Sequence, residues 1–151
     1  MSGRIVVISG YFNPIHSGHL DYIDAASDLG DFLVVIINND DQVKIKGSTP
    51  FMSEDERQRV VSSIKGVHYT YISTDEDESV SNSLLNIYYL FRDNYDFIDM
   101  TFANGGDRKE GGIPEEEVCN RFGIKMAYNV GGEKTQSSSN LIKEAQDNGA
   151  I

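Results

Sequence analysis

The chain has no tryptophan, one cysteine, three prolines and three histidines among its 151 residues. A lone Cys119 cannot form an internal disulfide, so packing must hold the fold, and a reducing cytoplasm is the expected setting. It reads as an ordinary, partly buried thiol without a catalytic role. No apolar run approaches the ~20 residues needed to span a bilayer, and Met1-Ser2-Gly3-Arg4 leads into a short apolar stretch rather than a signal peptide. Basic residues are scarce: 13 Lys and Arg stand against 24 Asp and Glu, for a net charge of −11. That balance argues against nucleic acid and anionic membranes as partners. It still allows a small anionic substrate in a locally positive cleft. What is present is an ordinary globular composition, 39% hydrophobic and 25% charged, in a length expected to form one domain over residues 1–151.

Apolar and amphipathic stretches alternate along the chain. Arg4–Ser9, Phe32–Ile37, Val67–Ile72, Phe97–Ala103 and Lys125–Val130 read as strands, and unbroken runs such as Ile5-Val6-Val7-Ile8 suit a buried parallel sheet. Helices are expected over 18–29, 55–64, 81–95, 114–122 and 141–147. Gly30 falls where a left-handed helix cap is expected, and Gly123 ends a later helix. Ser53-Glu54-Asp55-Glu56 has the pattern of a capping box. Leu84, Leu85, Ile87, Tyr88, Leu90 and Phe91 form a core-facing stripe. Gln42–Pro50, with Gly47 and its terminal proline, reads as loop. His68 is expected at an edge without a function. Asp75-Glu76-Asp77-Glu78 reads as a solvated acidic face rather than a metal cluster. Strands alternating with helices predict an α/β fold with a parallel sheet and right-handed crossovers.

Ser9-Gly10-Tyr11-Phe12-Asn13-Pro14-Ile15-His16-Ser17-Gly18-His19 joins the first strand to the first helix. In a doubly wound sheet such a loop lies at the carboxyl end of the strand, where ligands bind. The helix start offers free N–H groups and partial positive charge, which suit phosphate. Gly10 permits close approach of backbone and ligand, and Pro14 stiffens the turn. His16 and His19 stand three apart, so both imidazoles can reach one point. Gly18 clears that point of a side chain. This stretch resembles the HxGH motif of the nucleotidyltransferase superfamily, which includes cytidylyltransferases and the nicotinamide-nucleotide, pantetheine-phosphate and heptose-phosphate adenylyltransferases. The resemblance runs from Ile5 to Ile142. It implies a Rossmann-like, doubly wound five-stranded parallel sheet with helices on both faces, forming a single nucleotidyltransferase domain.

The resemblance also assigns residues. His16, His19, Lys46 and Ser138 are the implied catalytic set. Gly10, Tyr11, Phe12, Asn13, Gly18, Lys44, Asn104, Gly105, Gly106, Asp107, Ser137 and Ser139 are the implied nucleotide-binding set. The Lys44-Ile45-Lys46-Gly47 stretch is similar to a mobile Lys-Gly loop of the sugar- and polyol-phosphate branch; the bland reading is two solvated lysines. Arg57 either reaches the site, to hold a phosphate or position the lysine loop, or is an exposed arginine paired with Glu54 or Asp55. Asn104-Gly105-Gly106-Asp107 resembles a loop of the heptose-phosphate adenylyltransferases, with Arg108 in place of an aromatic residue and open to a phosphate or acceptor role. Ser137-Ser138-Ser139-Asn140-Leu141-Ile142 looks like the superfamily's stretch for the β- and γ-phosphates, and also like a simple helix cap. The arginine that precedes it in cytidylyltransferases is missing, and Lys134 is the nearest basic residue.

The implied reaction is transfer of AMP or CMP from a nucleoside triphosphate, ATP or CTP, to a phosphorylated small molecule with release of pyrophosphate. The implied acceptor is a sugar or polyol phosphate such as heptose 1-phosphate or glycerol 3-phosphate. Mg²⁺ is the implied cofactor, held by phosphate oxygens with no dedicated protein ligand set, and a homodimer is compatible with the family. The alternative is a nucleotide-binding regulatory module without turnover.

Overall fold

Ile5, Val6, Val7 and Ile8 are all at most 2% exposed, which a strand achieves only when both faces of its sheet are covered. They form the middle of β1 (Ser2–Gly10), the central strand of the computed structural model, which describes residues 2–106 and 112–132. Then follow α1 (Ser17–Ser27), β2 (Phe32–Ile37), α2 (Asp40–Ile45), α3 (Glu54–Ser62), β3 (Tyr69–Ile72), α4 (Ser81–Asn94), β4 (Phe97–Ala103), α5 (Glu116–Phe122) and β5 (Lys125–Ala127). Among the described residues the five strands make one sheet in the order β3-β2-β1-β4-β5, every pair parallel.

The pleat sorts the core into two layers. Ile5, Val7, Val34, Ile36, Met100 and Phe102 face α4 and α5 through Leu84, Ile87 and Cys119. Val6, Ile8, Leu33, Val35, Ile37 and Ala103 face α1 and α3 through Ile23, Ala26 and Val61. Strand order reverses between β1 and β4, so the segments leaving those two strands run to opposite faces and open a crevice at the carboxyl edge. Asn104 lies at that edge, directly after β4. Tyr22 of α1 donates its hydroxyl hydrogen to the Ala103 carbonyl at the end of β4, tying the two sides of the crevice together.

Several expectations need correction. The Gln42–Pro50 stretch is not all loop: α2 occupies its start, because Asn39 caps it by accepting from the Gln42 N–H at 2.8 Å. Gly30 is not a left-handed cap, since α1 ends on Asp28 in right-handed geometry. Its reason is space: a Cβ there would lie 2.8 Å from both the Arg4 carbonyl oxygen and Val6 Cγ2. Asp75 is buried, not solvated. Its carboxylate accepts from the Asn82 and Ser83 N–H groups at 2.8 and 3.0 Å, closing the first turn of α4. Leu90 leaves the α4 stripe and is exposed. β5 ends at Ala127, three residues short of the expected strand. The helix expected over 141–147 lies outside the described residues. Gly123 does end α5 with φ +71°.

Gly30→Ala should cost about 1–3 kcal/mol, the usual penalty for overpacking against rigid neighbours. A urea-denaturation midpoint equal to that of the wild type would show that the β1 backbone yields more easily than its packing implies.

Candidate active site at the carboxyl edge

The first turn of α1 is closed by its own histidines. His16 is the N-cap, and its Nδ1 accepts from the Gly18 N–H at 3.1 Å. His19 Nδ1 accepts in return from the His16 N–H at 3.0 Å. This is a capping box written in imidazoles, a use the sequence reading did not assign. A ring nitrogen that accepts carries no proton, so the proton of each neutral ring sits on Nε2. The rings stack with centroids 3.9 Å apart and 28° between planes. The backbone thus sets both tautomers, with the proton of each ring on Nε2.

Below them, Phe12 is a wedge beneath His19. Its side chain is 1% exposed, its ring meets His19 edge-on at 5.0 Å, and its φ is +50°. The ring also explains Gly10, where a Cβ would sit 2.8 Å from Phe12 Cζ. Close approach at Gly10 is therefore to Phe12, whereas the sequence suggested a ligand. Asn13 is buried too: its Nδ2 donates to the Thr49 carbonyl at 3.0 Å and its Oδ1 accepts from the Phe51 N–H at 2.7 Å. The side chains of Phe12 and Asn13 are thus engaged within the fold.

Arg57 is not the exposed arginine of the second expectation, since it is 1% exposed and its partner is Asp40 at 2.7 Å rather than Glu54 or Asp55; of the first, its contacts agree with positioning the lysine segment. Its Nη1 donates to the Tyr11 and Asn38 carbonyls at 2.8 and 2.6 Å, and its Nε donates to Met52 at 3.1 Å. One guanidinium thus joins the ends of β1 and β2 to the start of α3. It holds the loop from below.

The two lysines part company because α2 is a helix. Residues two apart diverge by about 200° around a helix axis. Lys44 pairs with Asp41 on the exposed face at 4.0 Å. Lys46, the C-cap, lies over the Tyr11 ring at 4.3 Å from its centroid. Lys46 therefore belongs to the histidine loop, and Lys44 does not. From the other side α2 is held by Gln42, whose amide donates to the Asp77 and Ser79 carbonyls at 2.7 and 2.8 Å. Gln42 and Tyr22 were both missed as organisers of this edge, since a single Gln or Tyr carries no local signal of its distant partner.

Across the crevice, Asn104 is 1% exposed and its Nδ2 donates to the Ala127 carbonyl at 3.1 Å. Its Oδ1 is buried and has no hydrogen-bond partner among the described residues. Gly105 and Gly106 follow it at the edge. Val130 N–H donates to the Asn104 carbonyl at 2.9 Å, and a Cβ on Gly131 would lie 3.0 Å from Tyr22 Cα. The segments after β1, β4 and β5 thus converge. Asp107, Arg108, Lys134, Ser137, Ser138 and Ser139 lie outside the described residues. Among the described residues no group of three or more His, Cys, Asp and Glu could hold a metal ion, and no helix is long and apolar enough to cross a membrane. His68 is exposed, with its Nδ1 accepting from the Leu33 N–H at 3.1 Å. Cys119 is fully buried, and burial pushes its thiol up to about 12, with Glu115 and Glu116 adding to the shift.

Arg57→Ala should destabilise the fold by about 3–5 kcal/mol, because it leaves Asp40 and buried carbonyls without their donor. Arg57→Lys should not restore it, since an ammonium lacks the planar fork; recovery of the wild-type denaturation midpoint by lysine would refute the tie. For Cys119, the unfolded thiol loses its proton near 9.0 while the folded thiol keeps it to about 12. Over that window the unfolded state binds fewer protons, so this group makes stability fall by roughly 1 kcal/mol per pH unit. Cys119→Ala should flatten the alkaline limb of urea midpoint against pH; an unchanged slope would remove Cys119 from the alkaline response.

Comparison with known proteins agrees with this geometry. A cytidylyltransferase-like family profile matches residues 7–144. An FAD synthase of Methanothrix thermoacetophila is 36% identical over 122 residues, covering 76% of this chain and 83% of that protein. An FAD synthase of Ferroglobus placidus is 42% identical over 72 residues, 48% of this chain and 47% of that protein. The bifunctional protein HldE of Aliarcobacter butzleri is 28% identical over 96% of this chain but 27% of its own length. The chain thus spans about half of one of these relatives and about a quarter of another. In fold, it is similar to the lipopolysaccharide core biosynthesis protein of Thermoplasma volcanium, with a TM-score of 0.62 at 20% identity over 90% of this chain and 99% of that one. A Rossmann-type sheet with paired histidines capping its first helix, matched by this profile over nearly its whole length, places the chain in the cytidylyltransferase-like family of nucleotidyltransferases.

Proposed function

We propose that the chain transfers a nucleoside monophosphate, AMP or CMP, from its triphosphate to a phosphorylated small molecule and releases pyrophosphate. The observation that carries this reading is the stacked, reciprocally capped His16–His19 pair at the N-terminus of α1. A phosphomonoester oxygen of the acceptor attacks the α-phosphorus, and the bond to pyrophosphate breaks. An acceptor phosphate has its second pKa near about 6 and is mostly dianionic at neutral pH, so no strong general base is required. Catalysis then rests on position and charge. The Nε2 edges of the two imidazoles meet the α-phosphoryl oxygens as negative charge builds there. Lys46, set over Tyr11, balances charge on the triphosphate. Asn104 Oδ1 is a buried acceptor that suits the exocyclic amine carried by both adenine and cytosine. Asp107, Arg108 and Ser137–Ser139 complete the proposal from sequence alone.

Mg²⁺ belongs to this proposal as a companion of the triphosphate. The donors at the loop are imidazole, amide and ammonium groups, which suit phosphate oxygens rather than a cation, and Asp40 is engaged by Arg57. An ion with few protein ligands, held by phosphates and water, is compatible with that set. It would supply charge neutralisation on the departing pyrophosphate. The buried thiol of Cys119 suits a reducing compartment, and the cytoplasm is the proposed location.

The test is pyrophosphate release with Mg²⁺, crossing ATP and CTP against heptose 1-phosphate, glycerol 3-phosphate and FMN. FMN joins the panel because relatives bear the name FAD synthase. Release that depends on one triphosphate and one acceptor is expected. His16→Asn and His19→Asn keep an acceptor for the helix cap but remove Nε2, so each should lower turnover ~10²–10³-fold with little change in thermal midpoint. Normal turnover in both variants would sink the proposed mechanism. Tight triphosphate binding with no release across the panel would favour a nucleotide-binding module instead.

A further inference from the structure

The stretch that carries Lys46 into α3 has almost nothing apolar to hold it. The buried apolar residues stop at Val43 and resume at Val61. Residues 44–49 are exposed, Phe51 is 58% exposed, and a Cβ on Gly47 would meet nothing within 4 Å. Yet the stretch lies against the histidine loop. Its attachments are polar: Ser48 N–H donates to Val43 at 3.1 Å, Arg57 Nε donates to Met52 at 3.1 Å, and the Asn13 carboxamide grips Thr49 and Phe51 between them.

We propose that Asn13 is a positioning residue that presets Lys46 against the histidine pair, so that the lysine segment is clasped to the histidine loop before any triphosphate arrives. The carboxamide satisfies one backbone acceptor and one backbone donor two residues apart, which only a group with both functions can do. Aspartate could accept from Phe51, but it would set its other oxygen against the Thr49 carbonyl. Alanine can do neither. The clasp is short on both sides. Asn13 is two residues from Tyr11, over which Lys46 lies, and three from His16. On the other strand of the clasp, Gly47 and Ser48 alone separate Lys46 from Thr49. Histidine and lysine groups are therefore fixed to each other through one side chain, 36 residues apart in sequence from its first partner. That is preorganisation, which removes the need to order the lysine when charge develops. It replaces the expectation of a lysine loop that closes on its ligand. The consequence for catalysis rests on the nucleotidyl-transfer reading; the clasp does not.

Limited trypsin digestion tests the clasp without any substrate. Cleavage after Lys46 in the folded chain requires local opening of residues 46–51. Asn13→Ala should speed that cleavage about tenfold, as expected for loss of one or two hydrogen bonds, while other sites are cut at the wild-type rate. Unchanged cleavage after Lys46 overturns the proposal. Where Asn13→Ala folds poorly, amide exchange in the wild type decides: a protected Phe51 N–H supports the clasp, and exchange at the free-peptide rate overturns it. In the pyrophosphate assay the variant should raise KM for the triphosphate about tenfold and leave KM for the acceptor within about twofold, a split that general loss of structure does not produce. Faster cleavage in a chain that binds no triphosphate would keep the clasp and remove the nucleotidyl-transfer reading.

Discussion

The Arg57 guanidinium holds the carboxyl edge of the sheet in one piece. Parallel strands leave their carboxyl ends as separate loops, and each loop ends in carbonyl groups that the sheet no longer pairs. Arg57 gathers three such carbonyls, from Tyr11, Asn38 and Met52, and balances its own charge on Asp40. A buried ion pair is not in itself a source of stability. Here it gives geometry: the loop from β1, the end of β2 and the start of α3 cannot move independently while one rigid, planar group binds all of them.

The same device recurs around it. Asn39 and Gln42 reach the carbonyls of residues 73–79, Asp75 closes the first turn of α4, and Asn13 grips 49 and 51. The apolar core lies between the sheet and its helices, while the edge is organised by side-chain amides and carboxylates bound to backbone. This division suits a phosphate-binding edge. Hydrogen bonds are directional, so donors can be set with little tolerance, and the outward face of the edge stays open to a charged ligand. Beside the histidine loop, the carboxylate of Asp40 is bound by Arg57, which limits the negative charge of a chain of net charge −11 at that point.

His16 and His19 show how structural and chemical roles coincide. Each uses Nδ1 to close α1, which places its proton on Nε2. The helix therefore begins at the histidine pair, and the tautomers are set by the backbone. Membership in the cytidylyltransferase-like family gives this pair its chemical context, and the relatives' names, FAD synthase and HldE among them, span acceptors of different kinds.

Much of this was legible in the chain itself. Runs such as Ile5–Ile8 and Phe32–Ile37 can only be buried strands, and their alternation with amphipathic stretches dictates a parallel sheet with loops at one edge. The two histidines with Gly18 between them marked the loop whose resemblance pointed to the family that the profile match shows. These are short-range properties: strand burial, helix periodicity and capping act within a few residues. What tertiary structure alone decided is the partner of each polar side chain at the edge. Whether Arg57 was exposed or buried, what Asn13 gripped, whether Gly30 served conformation or space, and which lysine joined the histidines all depended on groups about 17 to 46 residues away. Local periodicity carries no record of such contacts, because a hydrogen bond between distant segments exists only once the sheet has brought them together.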